Sequence, residues 1–115
     1  MASDLHDRHL YQAGEDIILE GQEARHLFIV ESGAVEVWKW FEGNKKSITK
    51  LGPGRIFGEM AIIDQSPRMA NVSAVDNTVC IRVSEMKLRE ALDSCPPFVK
   101  ALLKILVSNL RSAQK

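Results

Sequence analysis

The chain has 115 residues, enough for one hydrophobic core and hence a single domain, 1–115, but too few for a sensor joined to an effector of ordinary size. Fifteen basic residues balance fifteen acidic ones, so the surplus positive charge that drives binding to nucleic acid or anionic lipid is missing, and neither is expected as a partner. Two cysteines, Cys80 and Cys95, lack a CxxC spacing and read as free thiols of a reducing, cytoplasmic compartment, and there is no apolar run of membrane-spanning length and no secretory leader pattern.

Glycines at 14, 21, 33, 43, 52, 54 and 58 cut the chain before Val83 into short pieces rich in Ile, Val, Phe and Trp. That pattern predicts strands joined by turns, at 8–11, 17–20, 27–31, 34–41, 46–51, 70–75 and 78–83. Leu27, Phe28, Ile29 and Val30 are apolar without alternation, which suits a central strand covered on both sides. Trp38, Trp40 and Glu36 share one face of their strand, and packing beneath a helix is the expectation for the indoles. Glu42, Gly43 and Asn44 supply the residues of a tight reversal, so a hairpin with an exposed tip belongs there.

After Val83 the period changes. Ser84 can cap a short helix to Asp93, and Pro96 and Pro97 open a second one, where a missing N–H costs nothing. In that last helix Lys100, Lys104, Ser108 and Arg111 fall on one narrow face. The apolar residues around them form an arc wide enough to cover two things at once, the barrel and a ligand or partner helix, or else to fill a deep groove of the same domain. The whole reads as mainly β, an antiparallel jelly-roll barrel with a short helix inside it and two C-terminal helices.

Chemistry concentrates in residues 51–72, LGPGRIFGEMAIIDQSPRMANV. The glycines at 52, 54 and 58 permit sharp turns, and residues 59–64 then form one helical turn whose leading amides lack partners and attract an anion. Arg68, ten residues beyond Gly58, can fold back over those amides and clamp a phosphate, so that Gly58, Ala61 and Arg68 sketch a phosphate cradle. Glu59 would be repelled by that phosphate and must point at a donor, for which a ribose hydroxyl is suited. The bland alternative is an ion pair from Arg68 to Glu59 or Asp64 that fixes the loop and binds nothing.

These residues resemble the phosphate-binding cassette of the cyclic-nucleotide-binding domain family. The cassette's Phe-Gly-Glu-Leu/Met-Ala is present as Phe57, Gly58, Glu59, Met60 and Ala61, and its Arg, small residue and Ala as Arg68, Met69 and Ala70, followed by Asn71. Further signposts stand at Ala13-Gly14-Glu15, Glu20-Gly21, Leu27 to Gly33 and Leu51-Gly52-Pro53-Gly54. The resemblance implies a jelly-roll sensor of cyclic AMP, less so of cyclic GMP, that signals through its last helix. It implies that Glu59 accepts the ribose 2′-hydroxyl and that Arg68 pairs with the cyclic phosphate, helped by the amides of Ala61, Met69 and Ala70. It assigns ligand binding to Gly58, Glu59, Met60, Ala61, Arg68, Met69, Ala70 and Asn71 of the cassette, and places Val37 and Thr49 against the base, with Leu106, Asn109 or Leu110 as its cap.

Two residues depart from the pattern. Met69 replaces the Ser or Thr that cGMP-preferring members use, which points to cyclic AMP, and Asn71 replaces Thr or Ser. The effector implied by the resemblance is a channel, a kinase or a transcription regulator elsewhere, reached through an effector protein or a homodimer contact of the last helix. A degenerate copy that binds nothing and acts as a scaffold is the alternative. Catalysis and metal binding find no support in the sequence. His6, His9 and His26 lack the spacing of a metal triad, no serine sits in a GxSxG, and neither cysteine has a histidine near it in sequence.

Overall fold

The computed structural model describes residues 7–113, so His6 and the end of the C-terminal tail lie outside the described residues. In chain order the elements are β1 (Arg8–Tyr11), β2 (Asp16–Ile18), β3 (His26–Ser32), β4 (Val35–Phe41), β5 (Asn44–Leu51), β6 (Ile56–Phe57), α1 (Glu59–Ile63), β7 (Asn71–Ala74), β8 (Thr78–Ser84), α2 (Glu85–Asp93) and α3 (Pro97–Ala113). Two four-stranded antiparallel sheets, ordered β1-β8-β3-β6 and β2-β7-β4-β5, face each other as a jelly roll. The apolar run of β3 does lie inside its sheet, between β8 and β6. Only the two-residue strand β6 has no counterpart in the sequence reading, because two residues carry no period.

Residues from both sheets meet in one core of Ile18, Phe28, Val30, Val35, Phe57, Val72 and Cys80, with the Phe28 and Phe57 rings stacked at 5.0 Å between centroids. A second small cluster, Ala24, Ala61 and Ile62 with Leu88 against it, ties α1 to α2. Burying such side chains is worth roughly 1.5–3 kcal/mol each for the larger ones, which fixes α1 although it is too short to hold itself together. The hairpin between β4 and β5 turns in two residues rather than three. Phe41 pairs with Asn44, and Glu42 and Gly43 both take positive φ, 51° and 83°, as the twist of the flanking strands requires.

Two helical expectations hold in atomic detail. The Ser84 side chain accepts from the Lys87 amide at 3.2 Å as the cap of α2, and α3 starts at Pro97. The expectation for the tryptophans fails. Trp38 is buried, but Trp40 is 62 % exposed and meets it edge-on at 5.1 Å. The Trp38 Nε1 donates to Ser73 Oγ at 2.8 Å, and the Lys45 ammonium lies 4.9 Å over its ring while pairing with Glu36 at 2.9 Å. Side chains of the sheet's own outer face cover Trp38 where a helix was expected.

Candidate nucleotide site

One cavity of about 690 Å³ opens between the cassette and the inner face of β4 and β5. Gly58, Glu59, Met60, Ala61, Arg68, Met69, Ala70, Val37 and Thr49 all line it. The fold therefore brings together almost the whole set singled out in the sequence. It does so because Gly58, with φ +83°, turns the chain from β6 into α1, and because β7 leads from the cassette back into the sheet beside β4.

Arg68 is the centre of this arrangement. Only 7 % of it is exposed, and its guanidinium donates through Nη1 to the Gly58 carbonyl at 2.7 Å and through Nη2 to the His26 carbonyl at 2.5 Å. It thus bonds to backbone, not to Glu59 or Asp64, and the loop is not fixed by the ion pair weighed above. Burial lowers the guanidinium pKa from its ordinary value, and the nearby Glu59 carboxylate acts the other way. A buried cation without a contacting anion is held at a cost that a phosphate would relieve.

Glu59, half-buried in the same cavity, makes no hydrogen bond to any described residue, so its oxygens are left to accept from a ligand. The helix α1 has no side-chain cap, and its first amides are open as well. Met69 is half exposed at the cavity wall.

Asn71 is placed differently. Its side chain is 4 % exposed and does not line the cavity; Oδ1 accepts from the Glu20 amide at 2.9 Å, and Nδ2 is buried without a partner. The strand alternation decides this, since Val72, the next residue, takes the inward position and sends Asn71 to the other face. Leu106, Asn109 and Leu110 are not at the cavity either. All three are exposed, while Val107 is the residue of that turn that is buried.

Two groups escaped the sequence reading. The His26 carbonyl is a backbone atom, for which no side-chain signal exists. Lys39 and Lys46 line the cavity, as does Trp40, and the signal for Lys39 was present: in β4 it is two residues from Val37 and therefore on the same face. No group of three or more His, Cys, Asp or Glu among the described residues is placed to hold a metal ion, and no described helix is long and apolar enough to cross a membrane.

Residues 8–95, the barrel and α2, match the cyclic nucleotide-binding domain family. The chain belongs to this family. Among curated relatives it is 30 % identical to the cyclic AMP receptor protein of Thermus thermophilus over 92 % of this chain and 50 % of that protein. It is 40 % identical to the cAMP-dependent protein kinase regulatory subunit of Yarrowia lipolytica over 70 % of this chain and 20 % of that one. Among solved structures, the EAL enzyme Bd1971 in its cAMP-bound form superposes with a TM-score of 0.84 at 29 % identity, covering 90 % of this chain and 28 % of the enzyme. The chain therefore spans half or less of the length of these relatives. The homologous proteins of known role include regulators of a kinase and of transcription.

Proposed function

We propose that this domain is a cytoplasmic sensor that binds cyclic AMP noncovalently and passes the signal on by a movement of α3, without catalysing a reaction. The observation that carries the reading is the pairing, in one cavity, of the buried Arg68 guanidinium with the unbonded Glu59 carboxylate. A cyclic phosphate takes the first and the open amides of α1, and a ribose hydroxyl donates to the second. Val37 and Thr49, opposite each other across β4 and β5, receive the base. Met69 offers no hydroxyl to guanine, which favours adenine. Asn71 serves the site indirectly, by fixing the Glu20 backbone beside the cassette.

The exposed apolar residues of α3, among them Leu102, Ile105, Leu106 and Leu110, suit a helix with two positions. A base in the cavity favours the position that covers it, to the extent that it binds that state more tightly. The same face can reach a second copy or an effector protein. One observation favours the alternative of a non-binding scaffold: Arg68 already has two acceptors.

Calorimetric titration with cyclic AMP and cyclic GMP separates the two readings. Cyclic AMP is expected to bind more tightly, Arg68→Ala to remove roughly 2–5 kcal/mol of its binding, and amide exchange in residues 102–110 to slow on saturation. An absence of binding gives the scaffold reading, and unchanged exchange in α3 removes the helix from the mechanism.

A further inference from the structure

The inner face of β4 and β5 carries a feature that neither packing nor a single cyclic phosphate accounts for. Lys39 and Lys46 are direct partners across the two strands, and both line the cavity. Like charges placed opposite each other in a ladder destabilise it, and for Lys39 the half-buried inward position is itself an unfavourable place for an ammonium. Lys39 is half-buried and Lys46 is exposed at the mouth of the cavity, and no described carboxylate pairs with either lysine. Lys46 instead sets its ammonium 5.1 Å over the Phe41 ring. The contrast is with the outer face of the same strand, where Lys45 does have its carboxylate, Glu36.

The charges along the cavity do not balance for a mononucleotide. Lys39, Lys46, Arg55 and Arg68 face Glu59 alone. A cyclic mononucleotide brings one negative charge, which Arg68 and the cassette amides claim. An ammonium has donors and no acceptor, so the lysine pair calls for an acceptor, and two such cations side by side call for a charged one. The position is next to the end of the cassette. Lys39 stands two residues, about 7 Å, beyond Val37 along β4, at the level where the chain enters β7 from the cassette, since Asn71 pairs with Trp38. The volume, about 690 Å³, lies in the upper part of the usual range for small-molecule sites.

Building on the cyclic-nucleotide reading above, we propose that Lys39 and Lys46 form a second anion position in the cavity and that the ligand it takes best is a nucleotide carrying two phosphate groups. The whole chain is titrated by calorimetry with cyclic AMP and with a cyclic dinucleotide of adenine, at low and at high salt, and the titrations are repeated with Lys39→Met, Lys46→Met and Lys39→Arg. The dinucleotide is expected to bind roughly tenfold more tightly than cyclic AMP, as one added charge-assisted contact implies, and to lose more affinity as salt rises. Each Met variant removes that advantage and leaves cyclic AMP binding nearly unchanged; Lys39→Arg keeps it. Equal or weaker binding of the dinucleotide, or Met variants that weaken both ligands alike, overturns the second position while the cyclic-nucleotide reading stands. If neither ligand binds, both readings fall.

Discussion

The Gly58 carbonyl accepts from Arg68 Nη1 at 2.7 Å, and the same glycine leaves no room for a side chain: a Cβ built on it would lie 2.9 Å from that nitrogen and 3.2 Å from Ile18 Cδ1. Its φ of +83° is a conformation that other residues reach only with strain. Gly58→Ala is therefore expected to cost about 1–3 kcal/mol of stability and to weaken nucleotide binding by displacing the guanidinium. Denaturant unfolding and calorimetry on the same variant measure both. A variant as stable and as tight as the parent would show that the turn does not position Arg68.

Glu59 presents a different balance, because its carboxylate makes no hydrogen bond to any described residue. Glu59→Gln keeps an acceptor for the ribose hydroxyl but removes the charge, and about 1–2 kcal/mol of binding is expected to go with it. Folding stability should hardly change. If this variant loses more affinity than Arg68→Ala, the phosphate and ribose roles are the wrong way round.

The His26 carbonyl holds the other half of the Arg68 guanidinium, and the His26 ring titrates close by. Burial first, then the positive charge of Arg82, and more weakly that of Arg68, lower its pKa from the ordinary 6.5. The neutral ring is thus the form that the fold favours. Above about pH 6.5 its contribution is fully present; as the pH falls, the unfolded chain takes up a proton before the folded one does, and stability drops until the folded ring is also protonated. The thermal midpoint should decline from pH 7.5 to pH 5, and His26→Gln should reduce that slope. Identical slopes would place the acid sensitivity elsewhere.

Much of this was legible in the sequence, and the reasons differ from element to element. The strands of the barrel announced themselves through glycine punctuation and β-branched runs, and Ser84 and Pro97 marked helix starts by local chemistry alone. Gly58, Glu59 and Arg68 could be assigned to one locus because their spacing is itself a turn, a helix start and a return. Asn71 was misplaced by one step of alternation, which spacing within a motif does not reveal. The burial of Trp38 was legible, but its cover was not, since that depends on Lys45 and Ser73 arriving from neighbouring strands. The position of α3 away from the cavity is a tertiary choice that its wide apolar arc leaves open.

The order of strands in the two sheets also governs how this domain comes into being. Arg8 pairs with Ile81 and Asp16 with Ser73, so the first two strands find their partners only after the cassette has been made, and β4 with β5 is the one sequential hairpin between neighbouring strands of either sheet. Folding dominated by such distant pairings is slow, in the millisecond to second range for barrels of this type. A nascent chain that has emerged only as far as the cassette has no partner for β1, and β3 lacks one of its two neighbours. A ribosome stalled before Thr78–Ser84 would therefore hold every residue that lines the cavity but lack the strand that joins β1 and β3 into one sheet.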